Sequence, residues 1–240
     1  GVRALLAALL LLAGDGEEGP ALRAEAGRLG IAGAVRFLGA VSEARTALED
    51  FAAQPGAAMT LTVDTELEEQ LTHAEMDITK AQVDGHSVAC ISSNGISLYY
   101  ADGAVILENG SAYEASSLYP DYSQLPAEAA RILQSASATA QRSGGTITCR
   151  LTAEGENARA LLSLLLPAQS EYLADTQKLT MQLITTGGTF VSLNFDAEGT
   201  LTDDRKTTYA LSAELTAAEP EEGLVVPDPV VNAVRSEDTV

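Results

Sequence analysis

The sequence predicts an α+β fold: an antiparallel β-sheet with covering helices, preceded by a small βαβ unit. Three observations carry this prediction. From Ala57 onward, apolar and polar residues alternate with a period of two. Dipeptides that make two-residue hairpin turns stand between the alternating runs. Ahead of residue 43 neither pattern holds, and short continuous apolar runs flank one segment of helical period.

Composition sets the outer limits. The chain has 240 residues, 46% of them hydrophobic, enough for a sizeable core and too many for a disordered chain. A formal net charge of -20 excludes nucleic acid and anionic membrane surfaces as partners, because both need a basic face. It accords with an extracytoplasmic protein of the cell envelope or a secreted one. The charge is uneven: residues 1–50 carry a net of -2 and the remainder -18. That shift, with the change of period, predicts two pieces of different origin and so a chimeric chain. No run reaches the roughly 18 apolar residues needed to span a bilayer. Ala4–Gly14, preceded by Arg3, has the character of a signal peptide's apolar stretch. A lipoprotein signal would place Cys after it, where Asp15 stands.

The front piece, residues 1–42, reads as a partial βαβ unit. Leu9–Ala13 is a short continuous apolar run, as expected of a strand buried on both faces. Gly14-Asp15-Gly16 makes a turn. Pro20 sits where a helix begins and its missing N–H costs little. Leu22, Ala26 and Leu29 share one helical face, Gly30 stops the helix, and Ala34–Leu38 is a second strand. The LLLLAGDG strand and turn, the PALRAEAGRLGI helix and the VRFLG strand resemble part of the C-terminal domain of GT-B group-1 (family 4) glycosyltransferases. The resemblance covers Leu9 to Glu43 and stops there. The acidic E-x7-E sugar-nucleotide motif of that family has no counterpart in a comparable setting. Two parallel strands and one helix cannot bury both faces of a sheet. The resemblance therefore implies an inactive fragment.

Residues 43–240 form the β-rich piece. The alternating runs are Met59–Val63, Ala74–Ile78, Ile96–Tyr100, Thr146–Thr152, Leu179–Leu183 and Thr208–Leu215, each with one apolar face and one face rich in Thr and acids. Asp84-Gly85, Asn94-Gly95, Asp102-Gly103, Asn109-Gly110 and Gly187-Gly188 are hairpin turns, so successive strands run antiparallel. Met59–Ala115 should be one meander and Lys178–Leu215 a second. Helices are expected at 43–54, with Leu48 and Phe51 inward, at 125–142, with Leu125, Ala129, Ile132, Leu133 and Ala136 on one face, and at 157–166. The Pro-rich tail from Pro220 reads as a loop with one short helical turn near Val230.

The hairpin series GISLYYADGAVILENGSAYEA, the TAEGENARALLSLLLP helix and the closing VPDPVVNAV resemble the LolA/LolB-like lipoprotein-carrier fold over residues 45–235. That resemblance implies a curved antiparallel sheet with its concave apolar face under helices. It further implies a non-catalytic envelope module that holds a lipid or other apolar ligand. Inward strand positions would then line the ligand: Leu61, Met76, Ile78, Leu98, Met181 and Leu183. Two alternatives stand beside it, a structural or protein-binding envelope domain with a filled core and the glycosyltransferase fragment.

Catalytic chemistry finds no footing in the sequence. It has no HExxH, GxSxG, P-loop or SxxK pattern, and no cofactor or metal set is indicated. His73 and His86 read as solvated. Asp196-Ala197-Glu198-Gly199 and Asp203-Asp204 read as acidic turns without EF-hand spacing. Asn109-Gly110-Ser111 matches a glycosylation acceptor, which a tight hairpin turn explains better. Tyr99, Tyr100, Tyr113, Tyr119 and Tyr122 read either as amphipathic strand positions or as a pocket rim. Cys90 and Cys149 are compatible with two buried thiols or with one disulfide, and oligomeric state is left open.

Overall fold

Turn chemistry sets the sheet. Asp84-Gly85, Asn94-Gly95, Asp102-Gly103 and Gly187-Gly188 all have positive φ at both central residues, the type I′ geometry whose twist matches that of paired strands. The structure, a computed structural model, describes residues 10–12, 19–30, 35–37, 39–114, 119–135, 138–165, 175–201, 207–219 and 224–237. Of Ala4–Gly14, read above as a signal-like stretch, only Leu10–Leu12 falls among them.

Eleven strands make one antiparallel sheet, with few helices. The first meander is β3 (Ala58–Leu67), β4 (Gln70–Val83), β5 (His86–Ser93), β6 (Ile96–Ala101), β7 (Ala104–Leu107) and β8 (Ala112–Glu114). The second is β9 (Thr139–Ser143), β10 (Thr146–Glu154), β11 (Asp175–Thr186), β12 (Thr189–Thr200) and β13 (Thr208–Ala218). Pairing of β3 with β13, Leu61 opposite Leu215, joins the two meanders edge to edge. The sheet order is thus β8-β7-β6-β5-β4-β3-β13-β12-β11-β10-β9. Ahead of it, β1 (Leu10–Leu12) and β2 (Val35–Phe37) pair in parallel on either side of α1 (Gly19–Arg28) in the chain, as a separate two-stranded sheet.

Three helices share the main core with one face of the large sheet. They are α2 (Gly39–Ala53), α3 (Leu125–Ser135) and α4 (Gly155–Leu165). In α2 the buried residues Ala40, Val41, Ala44, Ala47, Leu48 and Phe51 recur at helical spacing. The Phe51 ring packs on Phe190 of β12, with centroids 4.6 Å apart. A 3-10 turn at Tyr122–Gln124 leads into α3, where the Asp121 carboxylate accepts the Ser123 N–H at 3.0 Å. A fourth helix, α5 (Asp228–Glu237), packs on the opposite face of the sheet and closes a second, smaller apolar cluster.

Several expectations change. The helix expected over 125–142 ends at Ser135, and Thr139–Ser143 is the edge strand β9, paired with β10 from Arg150 to Thr146. Helix propensity in that stretch yields to a hairpin closed by Gly144-Gly145, because edge pairing satisfies its backbone groups as a ladder. The helix expected over 43–54 begins at Gly39, since Ala40 and Val41 also reach the core. The tail carries a helix of 10 residues rather than a single turn near Val230. A disulfide between Cys90 and Cys149 is ruled out: each is a buried thiol and not half of a disulfide. They sit on opposite faces of the sheet, Cys90 under α5 and Cys149 under α2, with β4, β3, β13, β12 and β11 between their strands. Neighbouring strands lie roughly 4.8 Å apart, and a bridge needs Cα atoms within about 7 Å.

Candidate functional site

The face of the sheet that carries the helices is a set of apolar rows running across the strands. One row is Met76, Leu61, Leu215, Leu193, Leu183 and Cys149, each opposite the next in register. A second row is Met59, Ile78, Ile91, Leu98 and Leu107. A third passes through Val63, Ala213, Phe195, Met181 and Leu151. The period-two alternation read from the sequence places these side chains on one face. The strand order then brings them side by side.

All six predicted lining residues point to this face, but they are not equivalent. Leu61, Ile78, Met181 and Leu183 are buried to 1% exposure or less. Met76 and Leu98 are only partly covered and pack against the rim of the main cluster, as does Leu67 of β3. The helices explain the difference. α2 lies against β9–β12, and α4 against β10 and β11, whereas β4 and β5 are met by the 3-10 turn at Tyr122–Gln124. Apolar surface on β4 and β6 therefore continues past the edge of the helical cover.

Polar groups end the apolar rows on one side. Lys80, Ala89, Tyr100 and Val105 form the next row beyond Ile78. Lys80 is 8% exposed, and its ammonium donates to the Ala52 carbonyl at 2.8 Å, where the C-terminal end of α2 carries partial negative charge. Burial lowers the Lys80 pKa, and the nearby Asp121 carboxylate partly offsets this. Burial also raises the Tyr100 pKa, reinforced by the charge of Asp121. At the other end of the sheet, the Tyr209 hydroxyl donates to Thr176 Oγ1 at 3.0 Å.

The tyrosines singled out in the sequence do not form one group. Tyr100 is on the helix-covered face and Tyr99 is on the other, under α5. Tyr122 is buried in the 3-10 turn, while Tyr113 and Tyr119 are exposed. Lys80 was not singled out. Its signal was a lysine at an inward position two residues beyond Ile78, visible once the strand is extended to Val83.

The opposite face is polar over β3, β4 and β11–β13. Thr60 donates to Asp77, Ser212 donates to Asp196, and His73 pairs with Asp64 at 2.7 Å. A shallow groove of about 270 Å³ there is lined by Asp64, Glu66, Asp196, Glu198 and Lys178 among others. His86 pairs with Asp102 at 2.8 Å in adjacent hairpin turns. Among the described residues, no group of three or more His, Cys, Asp or Glu could hold a metal ion. Nor is any helix among them long and apolar enough to cross a membrane.

No protein family profile matches the chain, and no curated protein matches it. Solved structures with some likeness include LprF from Mycobacterium bovis, with a TM-score of 0.45 and 10% identity over 79% of this chain and 96% of that one. An outer membrane lipoprotein-sorting protein domain from Vibrio parahaemolyticus gives a TM-score of 0.33 and 11% identity, over 81% and 97% of the two chains. A DUF1329 family protein from Desulfovibrio piger gives 0.31 and 8%, over 78% and 94%. None of the three is described as a glycosyltransferase. At these TM-scores the architecture rests on the strand order itself.

Proposed function

We propose that the large sheet and its helices form a non-catalytic extracytoplasmic binding module, which holds a lipid or other apolar ligand against the helix-covered face. The observation that carries this is the uneven cover. The rows through Met76 and Leu98 continue a buried apolar face into solvent, where a contiguous patch of this kind commonly serves binding. A ligand would replace the missing cover over β4 and β6 and reach toward Leu67. The acidic character of the chain supports an extracytoplasmic site of action rather than contact with nucleic acid.

The test has two arms. Organic extracts of the purified protein should contain lipid by mass spectrometry, and a fluorescent fatty acid should bind with a blue shift that Met76→Asp abolishes. Met181→Trp reports on depth. If space extends to β11, the ring enters it and blocks the probe at little cost in stability. If the core is filled there, the ring overpacks and costs about 1–3 kcal/mol. Absence of both lipid and probe binding, with a destabilised Met181→Trp variant, would favour the structural or protein-binding reading. The near-complete burial of Leu61, Met181 and Leu183 is the observation on that side.

A further inference from the structure

The C-terminal helix covers a different surface from the one just described. Its apolar contacts form a cluster separate from the main core: Val88 and Cys90 of β5, Tyr99 and Ala101 of β6, and Ala104 and Ile106 of β7, closed by Val230 and Val234. Those two valines, one helical turn apart, are 0% and 1% exposed, whereas Val225 just before the helix is 86% exposed. One ion pair fastens the far end, with Arg235 Nε donating to Asp84 in the β4–β5 turn at 2.5 Å. Both partners are more than half exposed, so solvent and salt weaken the contact. The near end has a shaped seat. A side chain at Gly110 in the β7–β8 turn would come within 2.7 Å of the Pro229 carbonyl oxygen.

A helix of 10 residues is marginal in water unless something packs against it. Its order therefore depends on this seat, and docking and helix formation are coupled. The main core on the other face of the sheet shares no residue with the cluster beneath it. Local opening with a free energy well below that of global unfolding is the ordinary behaviour of such an appended unit.

We infer that residues 224–237 are a latch, which releases from the outer face of β5–β7 while the main core stays folded, uncovering an apolar strip that includes Cys90. This holds whether or not the opposite face binds a ligand. The protein carries its own paired reporters. Cys90 lies under the latch, and Cys149 lies in the main core with Sγ 3.9 Å from the Ala40 carbonyl oxygen. Burial raises the Cys90 pKa, so the closed state also suppresses its reactive thiolate.

The experiment is thiol modification of the full chain with a water-soluble aromatic disulfide under native conditions, each cysteine followed by peptide mass spectrometry. In the parent protein Cys90 should react at least about tenfold faster than Cys149, as local opening precedes global opening. Val234→Asp should speed Cys90 by a further factor of about ten or more and leave Cys149 and the main thermal transition unchanged. Arg235→Glu, an exposed change that faces Asp84 with a like charge, should speed Cys90 a few-fold. Equal rates at the two cysteines in the parent and in Arg235→Glu would overturn the latch, because the helix would then open only with the whole fold. A Cys90 rate indifferent to both substitutions would overturn it too, since α5 would not be the cover.

Discussion

Buried ionisable side chains are where this fold meets pH. The Tyr99 hydroxyl is pushed up to about 12, and burial also raises Tyr100, Tyr209 and Cys90. Each is neutral in the folded state and ionises more readily once unfolded. The stability they contribute is complete below their unfolded values, 10.0 for tyrosine and 9.0 for cysteine, and is lost as pH rises through the folded values. Lys80 acts in the opposite sense. Burial lowers its pKa, so its charged form is disfavoured on folding, and stability is regained as pH climbs toward 10.5. Four groups oppose one, so the urea midpoint should fall steadily between pH 9 and 12. Tyr100→Phe should flatten that fall. A midpoint unchanged from pH 8 to 11 would show that these groups do not carry the pH dependence.

At the scale of elements, the β3–β4 hairpin stands apart from the others. Its turn is Glu68-Glu69, with φ of 47° and 67°, values that L side chains other than Asn and Asp seldom adopt. The neighbouring hairpins satisfy the same geometry with Asp-Gly or Asn-Gly. The hairpin stands because ten register pairs, from Ala58–Thr79 to Leu67–Gln70, outweigh the local cost. Replacing Glu68-Glu69 by Asn-Gly should stabilise the protein by about 1–2 kcal/mol, from relief of left-handed strain. Chemical denaturation would read this as a higher midpoint at unchanged slope. A lower midpoint would mean that the hydrogen bond Glu68 accepts from Thr207 Oγ1, at 3.3 Å, outweighs the strain. The same comparison shows why β3–β4 was only partly legible. Five turns announced themselves by composition, but a Glu-Glu turn carries no such mark, and the pairing that holds it is non-local.

For the molecule as a whole, the boundary of the sheet domain follows from α2. Ala40, Val41 and Ala44 belong to the main core, while β1 and β2 pair with each other and with no strand of the large sheet among the described residues. We therefore expect a chain beginning at Gly39 to stay soluble and to melt in one cooperative transition, within a few degrees of the full chain. A chain beginning at Glu43 should lose stability through its missing Ala40 and Val41 contacts. Calorimetry of the two checks this. Loss of cooperativity in the chain that begins at Gly39 would make the front piece an integral part of the fold.

The sequence by itself determined the class of structure, the placement of most turns and the face on which each strand residue points. Hairpin dipeptides and period-two alternation act over a few residues, so they can be read without knowing the partner. It also determined that Leu61, Met76, Ile78, Leu98, Met181 and Leu183 would share one side. Only the tertiary structure decided that β3 pairs with β13, that Thr139–Ser143 leaves its helix to become an edge strand, and that Val230 and Val234 seat a C-terminal helix on the far face. It alone separated Met76 and Leu98 at the rim from Leu61 and Met181 in the interior. The physical reason is common to all of these. Each depends on apolar surface or backbone groups contributed by residues distant in the chain, and local propensity is silent about which distant surface will arrive.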